Sequence, residues 1–127
     1  MMKKIISTDQ APAAIGTYSQ AIVHNNTLFT SGQIPIDPAT GEMLPAEFEL
    51  QAHQVFKNLA AIAAAAGTDL QHAIKLNVFL QDLENFASLN HIMGEYIQQP
   101  YPARAAVQVA RLPKDSLIEI DAIIAVD

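Results

Sequence analysis

The stretch LIEIDAIIAV, residues 117–126, constrains the fold more than any other part of the chain. Ile118, Ile120, Ala122, Ile124 and Val126 take every second position without a break. Successive side chains of a strand point to opposite faces, so this run reads as a strand with one face in the protein interior. The same geometry puts Glu119 and Asp121 together on the other face. Two acids at i and i+2 ordinarily mark a solvated side.

An apolar sheet face needs cover, and two segments supply it. From about 47 to 66, Phe48, Ala52, Val55, Phe56, Leu59, Ile62, Ala63 and Ala66 recur at three- and four-residue steps, which predicts an amphipathic helix. Gly67 stands where a C′ glycine ends such a helix. A second helix, capped by Asp82 or Asn85, is expected to run to about 97. Phe86, Leu89, Ile92, Met93 and Tyr96 form its inner face, and Gly94 is a weak point in it. Strands are expected at 3–6, at 19–24 and 27–36 around a His24-Asn25-Asn26 turn, at 73–81, at 104–112 and at 117–126. Ile74, Leu76, Val78 and Leu80 make the inner face of the fourth. The order β-β-β-α-β-α-β-β predicts an α+β fold, a mixed sheet with two helices packed on one face.

At 127 residues the chain fits one domain, 1–127. Half its residues are apolar and 16% are charged, so a compact core is expected, with some apolar surface buried against other subunits. A net charge of −6, with no basic run beyond Lys3-Lys4, argues against a nucleic-acid partner. No apolar run approaches the roughly 20 residues of a membrane span, and the basic MMKKIIS start lacks the apolar run of a signal peptide. The expected location is the cytoplasm, with no membrane partner. With no cysteine, disulfides, thiolate metal sites and a cysteine nucleophile are excluded. His24, His53, His72 and His91 show no HxH or HExxH spacing, so no metal site is expected. TGEMLPAE has one glycine and no following lysine, and is not a phosphate loop.

One residue stands out against this background. In PYPARAAVQVARLPKD, residues 100–115, Arg104 interrupts a stretch that otherwise reads as sheet interior. A surface arginine at a strand end is the ordinary reading. The sharper one is a planar guanidinium that grips a carboxylate through two parallel hydrogen bonds. If the last two strands formed a hairpin across LPKDS, Glu119 would face Ala110, about 20 Å from Arg104 at 3.3 Å per residue. One small molecule would not reach both. Either another strand lies between them, or a neighbouring subunit completes the site.

Five stretches together resemble the Rid proteins, the reactive-intermediate deaminases also called the YjgF family: APAAIGTYSQA (11–21), LFTSGQIPIDPATGE (28–42), NLAAIAAAAGTDL (58–70), FLQDLENFASLN (79–90) and YPARAAVQVARLPKDSLIEIDAI (101–123). The last is the most specific. The resemblance implies a chorismate-mutase-like protomer assembled as a homotrimer, with clefts between subunits and no metal or organic cofactor. It implies hydrolysis of enamines and imines such as 2-aminoacrylate to 2-keto acids and ammonia. By the same resemblance Arg104 binds the substrate carboxylate, helped by the backbone N–H groups of Gly32 and Ala106. Glu119 positions or activates water, Ser31 offers a hydroxyl, and Tyr18, Phe86 and Asn90 border the cleft. The family fold also inserts the final strand beside the TSGQ strand, so the last two strands should not be hairpin neighbours.

Ser31 has no adjacent His or Lys that would activate it as a nucleophile. The chain departs from the family pattern at Thr17, where proline is frequent, and at Ala105 and Ala106, where serine and cysteine are frequent. Its 90–101 segment is also short. Two rivals remain: a non-catalytic trimeric protein that binds 2-keto acids or regulates, and an RNA-directed nuclease, which the acidic charge disfavours.

Overall fold

The structure is a computed structural model that describes residues 2–127. Six strands form one sheet: β1 (Lys4–Ile6), β2 (Ala21–His24), β3 (Thr27–Thr30), β4 (Ala73–Leu80), β5 (Ala103–Gln108) and β6 (Ile118–Ala125). Their order across the sheet is β1-β2-β3-β6-β4-β5. The last strand in sequence therefore lies inside the sheet, antiparallel to β3 and to β4, while β5 runs parallel to β4 at an edge. As expected, β5 and β6 are not hairpin neighbours; β4 separates them.

The alternation in β6 is realised in full. Ile118, Ile120, Ala122 and Ile124 are buried, and Glu119, Asp121 and Ile123 between them are half-buried. The buried face packs under α1 (Phe48–Ala65) and α2 (Phe86–Tyr96). α1 contributes Ala52, Val55, Phe56, Leu59, Ile62 and Ala63; α2 contributes Leu89, Ile92 and Met93. α1 ends as its glycine predicts. Gly67 has φ +82°, Thr68 N donates to Ala63 O and Gly67 N to Ala64 O, which satisfies the last carbonyls of the helix. At the β2–β3 hairpin Asn25 and Asn26 both take positive φ, 51° and 58°, the conformation that a two-residue turn between twisted strands requires.

Several expected boundaries shift. The strand expected at 19–24 begins at Ala21, and the one at 104–112 spans Ala103–Gln108. The strand expected at 27–36 stops at Thr30 because the ladder to β6 changes register. From Phe29↔Ile123 to Gln33↔Ile120, the β3 side uses four residues and β6 three. This is a bulge, and Thr30 Oγ1 accepts the Ala122 N–H across it at 3.0 Å. Ile74 is 49% exposed rather than inward, because a second bulge at Ala73–Lys75 turns it out of the alternation. Asp82 caps a single 3-10 turn, Leu83–Asn85, that leads into α2, and Asn85 makes no capping bond. Phe86 lies half-buried at the margin of the core rather than on α2's fully buried face.

Three buried amides, invisible to apolar periodicity, fasten the loops. Asn58 in α1 donates to Ile34 O (3.4 Å) and Ile36 O (3.0 Å), and its Oδ1 accepts from Gln54. Gln51, two turns earlier, donates to Leu44 O and Pro45 O and accepts from Leu117 N at 2.8 Å. Gln20 holds Thr8, Ala11 and Pro12 through their backbones. Each replaces water for groups that would otherwise be buried unpaired. Truncating Asn58 to Ala should strand the Ile34 and Ile36 carbonyls and cost about 2–3 kcal/mol in urea unfolding. A loss below about 0.5 kcal/mol would mean that the loop is not held this way.

Candidate active site

The expected site residues fall into two groups, on opposite faces of the sheet. Arg104 pairs in register with Leu76, whose side chain is buried under the helices, so Arg104 also points to the helix face. There its Nη1 donates to Asn90 Oδ1 at 2.7 Å and lies 3.8 Å from Met93 Sδ. The guanidinium carbon sits 5.0 Å above the centre of the Phe86 ring, a cation–π contact. Phe86 and Asn90, one turn apart on α2, thus support the arginine from the ring side and the amide side. No carboxylate pairs with Arg104 among the described residues, so its remaining donors are unclaimed by a protein anion. The group opens on a cavity of about 470 Å³ lined by Asn90, Met93, Gly94, Tyr101, Pro102 and Arg104.

Ala106, two residues on, shares this face. Val109 N donates to Leu80 O, and strand alternation then turns the Ala106 N–H away from β4, toward the open edge of the sheet. That amide is free to meet an anion brought to the edge.

Glu119 pairs in register with Phe79, on the face opposite the helices. It borders a second cavity, of about 600 Å³, with Tyr18, Ser31, Gly32 and Lys114. The bulge in β3 is what brings Ser31 and Gly32 here. Glycine at 32 lets the Glu119 carboxylate lie against the backbone; a Cβ there would run into it, 3.0 Å from its Cδ, and push the carboxylate out of this position. Ser31 is pinned at both polar groups: its N–H donates to Gln20 O and its hydroxyl to the Ser19 carbonyl. The hydroxyl proton is therefore occupied and its lone pairs face the cavity as an acceptor, which suits holding water better than attacking a substrate. Tyr18 is 54% exposed, and its Oη accepts the Ile15 N–H at 3.3 Å. Burial raises the Glu119 carboxyl above the usual carboxylate range, and the charge of Asp121 adds to the effect. Asp121 is itself engaged, accepting from Asn77 Nδ2 at 2.7 Å.

Arg104 and Glu119 do not meet within one protomer. Two strand spacings and three residues along the strand separate their Cα atoms by about 14 Å, and the side chains leave opposite faces. Sequence reasoning missed Met93, Tyr101 and Pro102 beside the arginine, and Lys114 beside the glutamate. Lys114 and Asp115 both adopt left-handed φ, 55° and 54°, in a turn that no glycine announces. No group of three or more metal-ligating side chains gathers among the described residues, and none of their helices is long and apolar enough to cross a membrane.

A protein-family model described as Endoribonuclease L-PSP matches residues 8–126. The chain belongs to this family, the YjgF/Rid family. It is 52% identical over 122 residues to a RutC family protein of Pyrococcus horikoshii, covering 96% of this chain and 97% of that one. It is 48% identical to the 2-iminobutanoate/2-iminopropanoate deaminase of Rattus norvegicus, covering 97% and 90% of the two chains. Among solved structures, a conserved Rid family protein, YyfA, of Yersinia pestis superposes with a TM-score of 0.96 at 42% identity, covering 98% of this chain and 100% of that one. E. coli TdcF, solved with bound serine, superposes with a TM-score of 0.91 at 46% identity, covering 98% and 99%.

The raised Glu119 carboxyl carries a sign for stability. The folded state holds the proton more tightly than the unfolded chain, so this residue lowers stability as pH rises from the ordinary carboxylate range through its raised value. Glu119→Gln should therefore gain melting temperature relative to the parent over that interval, with the two curves closer together at lower pH. A gap independent of pH would show that the carboxyl is not perturbed.

Proposed function

We propose that this protein hydrolyses 2-imino acids, formed from enamines such as 2-aminoacrylate, to 2-keto acids and ammonia. The observation that carries the reading is the unpaired Arg104 fork, braced by Asn90 and Phe86 at the mouth of a cavity. Such a group matches the planar carboxylate common to all these substrates. Relatives named 2-iminobutanoate/2-iminopropanoate deaminase, 45–48% identical, support the substrate class. The bound serine in E. coli TdcF supports an amino-acid-like ligand.

The working site is completed between protomers of a homotrimer. Arg104, with the Ala106 N–H, comes from one subunit, and Glu119, Ser31, Gly32 and Tyr18 from its neighbour. Two features favour this arrangement: the two groups occupy opposite faces, and the helix-free sheet face leaves Ile5, Phe29 and Val107 exposed at 62%, 44% and 46%. Apolar side chains left open across that face are compatible with cover by a neighbouring subunit.

In the reaction, Arg104 holds the carboxylate and thereby places C2 over the acid. The oxygen of a water held by Glu119 and Ser31 bonds to C2 of the protonated imine, the C=N π pair moves to nitrogen, and one of the water's protons passes to the Glu119 carboxylate. Glu119 then returns the proton to the amine nitrogen of the tetrahedral carbinolamine. The C–N bond breaks and ammonia leaves with the bonding pair, while the hydroxyl passes its proton to the Glu119 carboxylate and becomes the keto oxygen. Imines hydrolyse unaided in water, so fixing the reactants supplies most of what a useful rate needs.

Arg104→Lys keeps the charge but loses the fork, and should lower kcat/KM for freshly generated 2-iminopropanoate by roughly 10²-fold, read as ammonia release. Full activity in that variant would remove the arginine from the mechanism. A parent protein that binds 2-oxobutanoate in calorimetry yet accelerates no imine would favour the sensing role instead. Because the base must be ionised, activity should fall as pH drops through the raised pKa of Glu119, above the ordinary carboxylate range. An inflection at or below that range would exclude Glu119 as the base.

A further inference from the structure

Gly94 is a glycine that neither backbone nor packing explains. It stands inside α2, where glycine weakens a helix relative to alanine because it surrenders more conformational freedom. Gly16, Gly41 and Gly67 take positive φ, but Gly94 does not. A Cβ placed on it meets nothing within 4 Å, so no neighbour requires the close approach that Gly32 allows Glu119. Gly94 is exposed at the rim, and the open space beside it adjoins the Arg104 cavity, whose lining it joins. Gly94 lies one turn beyond Asn90, whose amide holds the guanidinium.

The other walls of the cavity include the apolar side chains of Met93, Tyr101 and Pro102, of which Tyr101 is 60% exposed. Met93 is buried with its sulfur against Arg104. Tyr101 and Pro102 stand on the α2–β5 connection, which Gln71 ties down twice: Gln98 N donates to Gln71 Oε1 at 2.8 Å, and Gln71 Nε2 donates to Gln98 O at 2.7 Å. In the single protomer, before a neighbour completes the site, the volume is about 470 Å³, within the roughly 300–1,000 Å³ of sites that take drug-sized ligands.

In a 2-imino acid the carboxylate and the side chain leave the same carbon. A molecule anchored at Arg104 therefore carries its side chain beside the guanidinium. We propose that Gly94, with Met93 and Tyr101, forms an apolar subsite for that side chain, and that Gly94 determines specificity by admitting imines with branched or several-carbon chains. The inference rests on Arg104 as the carboxylate anchor and adds the class of substrate that the anchor serves.

The test compares the parent with Gly94→Ala and Gly94→Leu on imines generated from alanine and from leucine. The ratio of kcat/KM for the leucine-derived imine to that for the alanine-derived imine should fall at least roughly tenfold in Gly94→Leu, through KM more than kcat, and less in Gly94→Ala. Gly94→Ala should also melt higher than the parent, which separates the subsite from any folding defect. An unchanged ratio, or equal losses on both imines, would overturn the subsite. If the parent turns over neither imine, the hydrolase reading fails by itself. Calorimetry with pyruvate and 4-methyl-2-oxopentanoate then decides the subsite: Gly94→Leu must lose the larger acid selectively. Binding of neither acid to the parent overturns both readings.

Discussion

β6 is hydrogen-bonded along both of its edges, and its insertion between β3 and β4 organises the rest of the protomer. The strand is the most regular apolar alternation in the chain, and burying Ile118, Ile120, Ala122 and Ile124 under two helices leaves no freedom in its register. A slip of one residue would put Glu119 and Asp121 into the core. The same register fixes Glu119 on the helix-free face and, through β4, places Arg104 on the other. The distribution of charged groups in the site follows from one strand's need to hide its isoleucines.

The details that matter to chemistry arise where that regularity is interrupted. The bulge between Thr30 and Gln33 takes Ser31 and Gly32 out of the ladder and sets them against the Glu119 carboxylate. The buried amides of Gln20, Gln51 and Asn58 then hold the loops that line the cavity, where a purely apolar core would let them move. Arg104 is handled in a similar way, steadied by an amide and an aromatic face rather than neutralised by an acid. Neutralisation would have used up the charge on which the proposed binding of a carboxylate depends.

Much of the fold was legible before the structure. The two helices, the Asn25-Asn26 turn and the glycine stop at Gly67 follow from periodicity and turn chemistry, and the separation of the last two strands is expected from the family resemblance. Boundaries were less so. Thr30 and Ile74 sit at bulges, and a bulge leaves the residue types of a strand intact while changing which way they face. The candidate site was legible as a set of residues only through the resemblance; in the bare sequence, Arg104 looks like a strand-end charge and Glu119 like a solvated acid. The sequence also offered no signal for Met93, Tyr101 or Lys114, because a wall of a cavity has no spacing of its own.

What the sequence determined alone is local: the alternation that commits 118–126 to a half-buried strand, the helix faces that cover it, and the absence of thiols. These depend on neighbours a few residues away, and backbone geometry maps such neighbours directly onto faces. Only the tertiary structure decided that Arg104 and Glu119 lie two strands apart on opposite faces, and that Gly32 stands beneath a carboxylate 87 positions further along (119 − 32). Those relations depend on strand order, which is set by the burial of whole faces against each other and not by any stretch short enough to read.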